Sequence, residues 1–160
     1  MTDLLSGKIR IISKTIRERI IAEMKGLFEA FDFQHLTSPA IYRGRQIFDP
    51  DTEGPPLITI LPRRDAAEKT PYNKHSISMG LDIIALERIG SANPSVLGEK
   101  IHGELIECAF QLSDDWANGI TYRSGGIDMY PDELGQQILH VGITVVVAYE
   151  TRTGNPDKNE

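Results

Sequence analysis

Few residues in this sequence have the types and spacing that catalysis or metal binding requires. His102, Gly103 and Glu104 match the H-x-E half of a zinc deaminase signature, in which the histidine binds zinc and the glutamate moves a proton. The other half of that signature needs a pair of cysteines, and the chain contains only Cys108. We therefore interpret His102 and Glu104 as polar residues on the exposed side of a helix, not as a metal site.

A second metal-binding pattern begins at Asp49. Residues 49–54 place oxygen ligands and a glycine at the spacing of an EF-hand calcium loop. The twelfth position of such a loop is a glutamate that binds calcium with both oxygens, but this sequence has Ile60 there, inside a predicted strand. An acidic turn that ends at Gly54 is the favoured interpretation. The sequence thus predicts no metal and no cofactor, and treatment with a chelator is expected to leave the fold intact.

Nucleophilic catalysis would depend on Cys108, since a cysteine and a distant histidine can form a nucleophile–base pair. Spacing alone leaves this possibility open. The chain has four histidines, which lie on four different predicted elements: His35, His75, His102 and His140. Cys108 falls on the inner face of a predicted helix, where a cysteine usually acts as a small core residue. Phosphate-binding glycine motifs and the nucleophile elbow are also missing from the sequence. We therefore predict that the protein is not an enzyme, with a small cytosolic enzyme as the less favoured alternative.

Length and charge restrict the class of protein further. The 160 residues predict one domain over residues 1–150 and a flexible polar tail over residues 151–160. A single cysteine and the lack of an apolar run of about 20 residues favour a cytosolic protein over a secreted or membrane protein. The net charge is −6, although residues 1–31 carry six basic and four acidic side chains. This basic segment is a candidate DNA-binding face, but a solvated helix face is the favoured interpretation.

The spacing of the apolar residues predicts an α+β fold: a mostly antiparallel β-sheet with two helices packed on one face. An apolar stripe from Ile9 to Phe31 predicts the first helix, with Ser6 or Ser13 as its N-cap. Asn93 followed by a proline predicts the start of the second helix. Its glycines weaken that helix unless another element packs closely against them.

Four or five strands are predicted, from runs over residues 40–43, 57–61, 77–85, 119–123 and 139–149. The last strand alternates most regularly, which places Val141, Ile143, Val145 and Val147 on the dry face. The strand from residue 119 is expected to end at the glycine pair 125–126. Residues 62–75 are predicted to form a long polar loop that a neighbouring subunit orders.

Three stretches of the chain carry a resemblance to a known family. The first is the opening helix that ends near Phe31. The second runs from Ile41 to Arg45, through Phe48-Asp49 and an acidic loop, to Pro56–Ile60; the third joins Gly119–Arg123, an acidic stretch over 128–133 and the closing strand up to Glu150. In order and spacing, over residues 9–151, these stretches resemble the lambda-type tail terminator proteins of long-tailed bacteriophages. The chain is longer than that pattern at residues 62–75 and at the polar tail.

This resemblance implies a structural virion protein that is assembled in the host cytoplasm. It would form a ring, usually a hexamer, that caps the tail tube, ends its polymerisation and joins the tail to the head. Its partners would be further copies of itself, the tail tube protein and a head-completion protein, and genomic DNA would pass through the lumen without sequence-specific binding. A neighbouring neck or tail-completion protein is the alternative. We expect the subunit or partner interface to include Arg43, Arg45, Arg63, Arg64, Lys69, Tyr72 and Lys74.

Overall fold

The computed structural model describes residues 15–45, 54–63, 66–70, 74–113, 117–131 and 135–152. Its elements, in chain order, are α1 (Ile16–Ala30), β1 (Ala40–Arg43), β2 (Leu57–Pro62), β3 (Ala66–Thr70), β4 (Lys74–Arg88), α2 (Pro94–Ala109), β5 (Gly119–Pro131) and β6 (Gln137–Arg152). The strands form one sheet in the order β1-β2-β4-β6-β5, and β3 pairs with the part of β4 that extends past β2. Among these described strands, β1 and β2 pair in parallel and all other pairs are antiparallel. The predicted α+β fold is therefore confirmed.

Both helices cover the same face of the sheet. Along β6, the side chains from Leu139 to Tyr149 alternate between buried and partly exposed, as the sequence predicted. The buried set lies opposite the buried residues of β4, with Val145 paired to Leu81 and Ile143 paired to Ile83. The core forms where these side chains meet the apolar stripes of α1 and α2. Burial of one face by two amphipathic helices explains why the strict period of two is confined to the central strands.

The two helices begin at different kinds of signal. α1 has Thr15 as its N-cap, whose hydroxyl accepts a hydrogen bond from the Glu18 amide at 3.0 Å. The prediction of Ser6 or Ser13 as this cap was wrong, and the part of the predicted stripe before residue 15 lies outside the described residues. α2 begins as predicted, because the Asn93 side chain accepts hydrogen bonds from the next two free amides.

Three segments differ from the prediction. Residues 62–75 are not one loop, because β3 and the start of β4 form a hairpin in which Thr70 pairs with Lys74. The β3 sequence has little preference for a strand, and its pairing follows from the open backbone edge that β4 presents beyond β2. β5 continues through the glycine pair to Pro131, and β6 extends two residues into the predicted tail.

None of the helices in the described part of the chain has the length and hydropathy of a membrane-spanning segment.

Candidate assembly interface

β5 forms a long, exposed edge of the sheet. It has 13 residues, and in the described residues its one strand neighbour is β6. Twelve of the 13 residues are exposed and the thirteenth is partly so. The backbone groups on the outer side of such a strand are a template for pairing with another chain, and proteins normally protect them with charges, proline or a covering element. This edge carries only two charged side chains, Arg123 and Asp128.

Apolar side chains accompany this edge on the helix-covered side of the sheet. Tyr122, Ile127 and Met129 lie opposite buried residues of β6, yet they are between 39% and 50% exposed. We call these three residues and the outer backbone of β5 the β5 surface. Exposed apolar patches of this kind are typical of protein–protein contact sites.

Close packing fixes α2 against β5. A Cβ at Gly98 would lie 2.7 Å from Ile127 Cγ2, so the glycine allows the helix to approach the strand. On the next turn, His102 Nε2 lies 3.2 Å from the Tyr122 hydroxyl. Gly125 is required for the same contact, because its Cβ would lie 2.6 Å from each of these two atoms. The helix and the edge strand therefore present a single, rigid surface.

The sequence analysis missed this surface because a bulge changes the phase of β5. Ile120 and Tyr122 face the helices, and after the register shift between Tyr122 and Ser124 the helix-facing positions continue at 125, 127 and 129. One extra residue in a strand has this effect on the alternation. A search for period two that allows one inserted residue would have joined Tyr122 to Ile127 and Met129.

Three arginines predicted for an interface make contacts within the chain. Arg43 donates two hydrogen bonds to Glu18, one of them at 2.9 Å, and this bonding raises the pKa of Arg43. Arg45 lies over the ring of Tyr42, 4.9 Å from its centroid. Arg63 forms an ion pair with Asp82 at 2.7 Å. These contacts stabilise the region around β1 and β2, which lies at the opposite edge of the sheet from β5.

Two of the remaining predicted interface residues, Lys69 and Lys74, belong to the β3–β4 hairpin. Lys69 lies in β3 and Lys74 begins β4. Arg64 and Tyr72 lie outside the described residues. None of the described members of the predicted set lies on β5. The structure thus gives the sheet two unlike edges: a long apolar edge at β5, and an edge at β1 and β3 near which the basic residues are located.

Cys108 and Glu104, which the sequence offered as candidates for catalysis or metal binding, are part of the packing and hydrogen bonding of the fold. Cys108 is fully buried, and burial raises the pKa of its thiol to about 12, which disfavours a reactive thiolate. Glu104 accepts hydrogen bonds from the backbone amides of Gln34 and His35, at 2.6 and 3.2 Å, and pairs with the His35 ring. It therefore holds the segment after α1 against α2, and the prediction that it lies on the exposed side of the helix was wrong.

The metal patterns do not gain support from the described part of the chain. Within it, no group of three or more histidine, cysteine or acidic side chains is arranged to hold a metal ion. Residues 49–53 of the acidic turn lie outside the described residues, and Ile60 is buried in β2.

A scan against protein-family models and a search of curated proteins both find no match to this chain.

Proposed function

We propose that this protein assembles into a closed ring of identical copies and acts as the tail terminator of a long-tailed bacteriophage. The observation that carries the proposal is the pair of unlike edges on one sheet. A ring of identical subunits needs two different surfaces on each copy, because a surface that pairs with itself about a two-fold axis stops at a dimer. The β5 surface and the opposite edge of the sheet, at β1 and β3, are two such different surfaces.

The nature of the β5 edge supports assembly in a closed form. A strand of 13 residues with two charges would promote open-ended aggregation if it remained exposed. Closure of a ring covers this edge in every copy and leaves no copy with an open edge. Such a ring could cap a tube and prevent addition of the next tube subunit.

The positions of the stretches that resemble tail terminators also support this role. The first corresponds to α1, the second includes β1 and β2, and the third includes β5 and β6. They therefore lie along both edges of the sheet. The net charge of −6 suits a lumen through which DNA passes, because a strongly basic lumen would hold phosphates through many contacts.

The oligomeric state is the first test of this proposal. We expect size-exclusion chromatography with light scattering to give a mass near that of six chains of 17.8 kDa, about 107 kDa, and negative-stain micrographs to show rings. Met129→Lys should lower the mass toward that of one chain, because it places a charge within the β5 surface. Ala22→Lys is the matched control, since Ala22 is exposed on α1 and lies outside that surface.

Tube polymerisation then tests the role itself. The purified ring, added to polymerising tail tube protein of the same phage, should give short tubes with one capped end. A mass that stops at two chains would overturn the ring, since it would indicate that β5 pairs with itself. A ring that leaves tube length unchanged would contradict the terminator role and favour the neck-protein alternative.

A further inference from the structure

The sheet face that the helices do not cover contains a groove of about 360 Å³. This volume lies within the range of small-ligand and side-chain binding sites. The groove crosses β4, β6 and β5, and its floor is the directly paired glycines Gly126 and Gly142. Arg63, Asp82 and Thr144 line one end, and Asp128, Tyr130 and His140 line the other.

In the part of the chain that the structure describes, nothing requires the two floor glycines. Neither has a positive φ angle. A Cβ at Gly126 would have no atom within 4 Å, and at Gly142 the nearest, Ile84 Cγ1, lies at an ordinary 3.7 Å. By contrast, Gly80 on the same face is crowded by the Arg63 side chain. A glycine inside a strand costs about 0.5–1 kcal/mol relative to alanine, and it often marks a site that another molecule approaches closely.

The charges in the groove are unequal at its two ends. Asp82 forms an ion pair with Arg63 at 2.7 Å and accepts a hydrogen bond from the Thr144 hydroxyl at 2.6 Å. The charges at that end therefore cancel, and the Asp82 carboxylate has hydrogen-bond partners. No lysine or arginine in the described ranges forms an ion pair with Asp128. The nearby His140 is neutral at pH 7, since burial lowers its pKa, although the charge of Asp128 acts in the opposite direction. The groove therefore carries one negative charge, at Asp128.

An aromatic ring lies beside this charge. Tyr130 is 52% exposed, and its ring meets that of His140 edge to face, with centroids 4.7 Å apart. A carboxylate next to an accessible aromatic ring suits a guanidinium group, which is planar, donates paired hydrogen bonds to a carboxylate and stacks on rings. An ammonium group would gain the charge interaction but lacks the planar stacking.

We propose that this groove binds an arginine side chain presented by a second protein that docks on the uncovered sheet face. The guanidinium group pairs with Asp128 and packs against Tyr130, and its aliphatic stem lies over Gly126 and Gly142. The groove is open along the sheet, so a side chain carried by a folded partner can enter it from above. This inference is independent of the ring, because it uses the other face of β5.

Saturation-transfer NMR on the full-length protein tests the proposal in whatever oligomeric state the protein adopts. The probe is the peptide acetyl-Gly-Arg-Gly-amide, and we expect transfer to be strongest at the arginine Cδ protons. The same peptide with citrulline, the neutral analogue of arginine, should show little transfer. The peptide with lysine should bind several-fold more weakly, and binding of the arginine peptide should weaken with added salt.

Two variants identify the groove as the binding site. Asp128→Asn should weaken binding of the arginine peptide at least fivefold, and Gly126→Val should do so by filling the floor. Glu99→Gln on α2 and Gly103→Ala are the matched controls for charge and for added volume. Each variant's thermal melt is compared with that of the wild type, so that a loss of binding is not a loss of fold.

Three outcomes would overturn the proposal. The first is citrulline peptide binding as strong as that of the arginine peptide. The second is unchanged binding in a folded Asp128→Asn variant. The third is putrescine binding as tightly as the arginine peptide, which would make the groove a site for small polyamines rather than for a protein side chain. Light scattering on the same samples reports the ring separately, so failure here leaves the proposed function standing.

Discussion

Val145 tests which face of the sheet forms the core, because it is fully buried at the centre of β6 opposite Leu81. We predict that Val145→Asp is severely destabilising. A carboxyl group in such a site has its pKa raised by roughly 3–5 units, and each unit corresponds to about 1.4 kcal/mol. At pH 7 the cost of the charge is about 4 kcal/mol, because the folded protein keeps such a carboxyl protonated and the penalty is limited by the roughly 3 pH units between the ordinary aspartate pKa and pH 7. Loss of the buried valine adds about 1.5–3 kcal/mol.

The sum, about 6–7 kcal/mol, is comparable to the whole stability of a typical domain. We therefore expect the variant to be largely unfolded at pH 7 even without urea. Urea titrations followed by circular dichroism measure this. The aspartate pKa is raised in the folded state, so its penalty grows as pH rises above the ordinary value of about 4. The difference in unfolding free energy from the wild type should accordingly shrink by about 1.4 kcal/mol per pH unit as the pH is lowered.

The neighbouring Val146 provides the control. It lies on the uncovered face between Gly80 and Thr121, where it is partly exposed. Val146→Asp should cost far less than Val145→Asp. The milder pair, Val145→Thr and Val146→Thr, keeps the side-chain shape, and only the first should cost about 1–3 kcal/mol. A Val145→Asp protein that melts within a few degrees of the wild type, or a costlier change at 146, would show that this assignment of the core face is wrong.

Three further predictions concern single side chains. Gly103→Ala should raise the free energy of unfolding by up to about 1 kcal/mol, because a Cβ there meets no atom within 4 Å, whereas Gly98→Ala should lower it by displacing Ile127; urea titration measures both. Cys108 should react with iodoacetamide at pH 8 roughly a thousandfold more slowly in the native protein than in guanidinium, since burial raises its pKa to about 12. Burial lowers the pKa of His140, so below about pH 6.5 the unfolded chain binds a proton more readily than the folded protein. The free energy of unfolding therefore decreases as the pH is lowered. His140→Gln should therefore lose less unfolding free energy than the wild type between pH 7 and pH 5.

The elements that the sequence predicted well are those whose pattern is visible in consecutive residues. Asn93 caps α2 through amides two and three residues away, so a few consecutive letters contain the whole signal. β6 alternates over most of its length because both of its neighbours in the sheet are long strands and one face is covered by helices. Neither feature depends on a residue that is distant in the sequence for its pattern to be visible.

The elements that the sequence did not predict depend on distant partners. β3 exists because β4 extends beyond β2 and offers it an edge. The sequence did not show the ion pairs of Arg43 and Arg63, because Glu18 and Asp82 lie on other elements, 25 and 19 positions away. A basic side chain looks available in a sequence until the fold brings a carboxylate to it.

The geometry of β5 separates the two proposed interactions. Successive residues of a strand point to opposite faces, so Ile127 and Met129 belong to the β5 surface while Gly126, Asp128 and Tyr130 belong to the groove. Met129→Lys should therefore disrupt the ring and leave binding of the arginine peptide unchanged. Asp128→Asn should weaken peptide binding and leave the mass of the assembly unchanged. A variant that altered both properties while keeping the wild-type melt would mean that the occupant of the groove is the neighbouring copy in the ring.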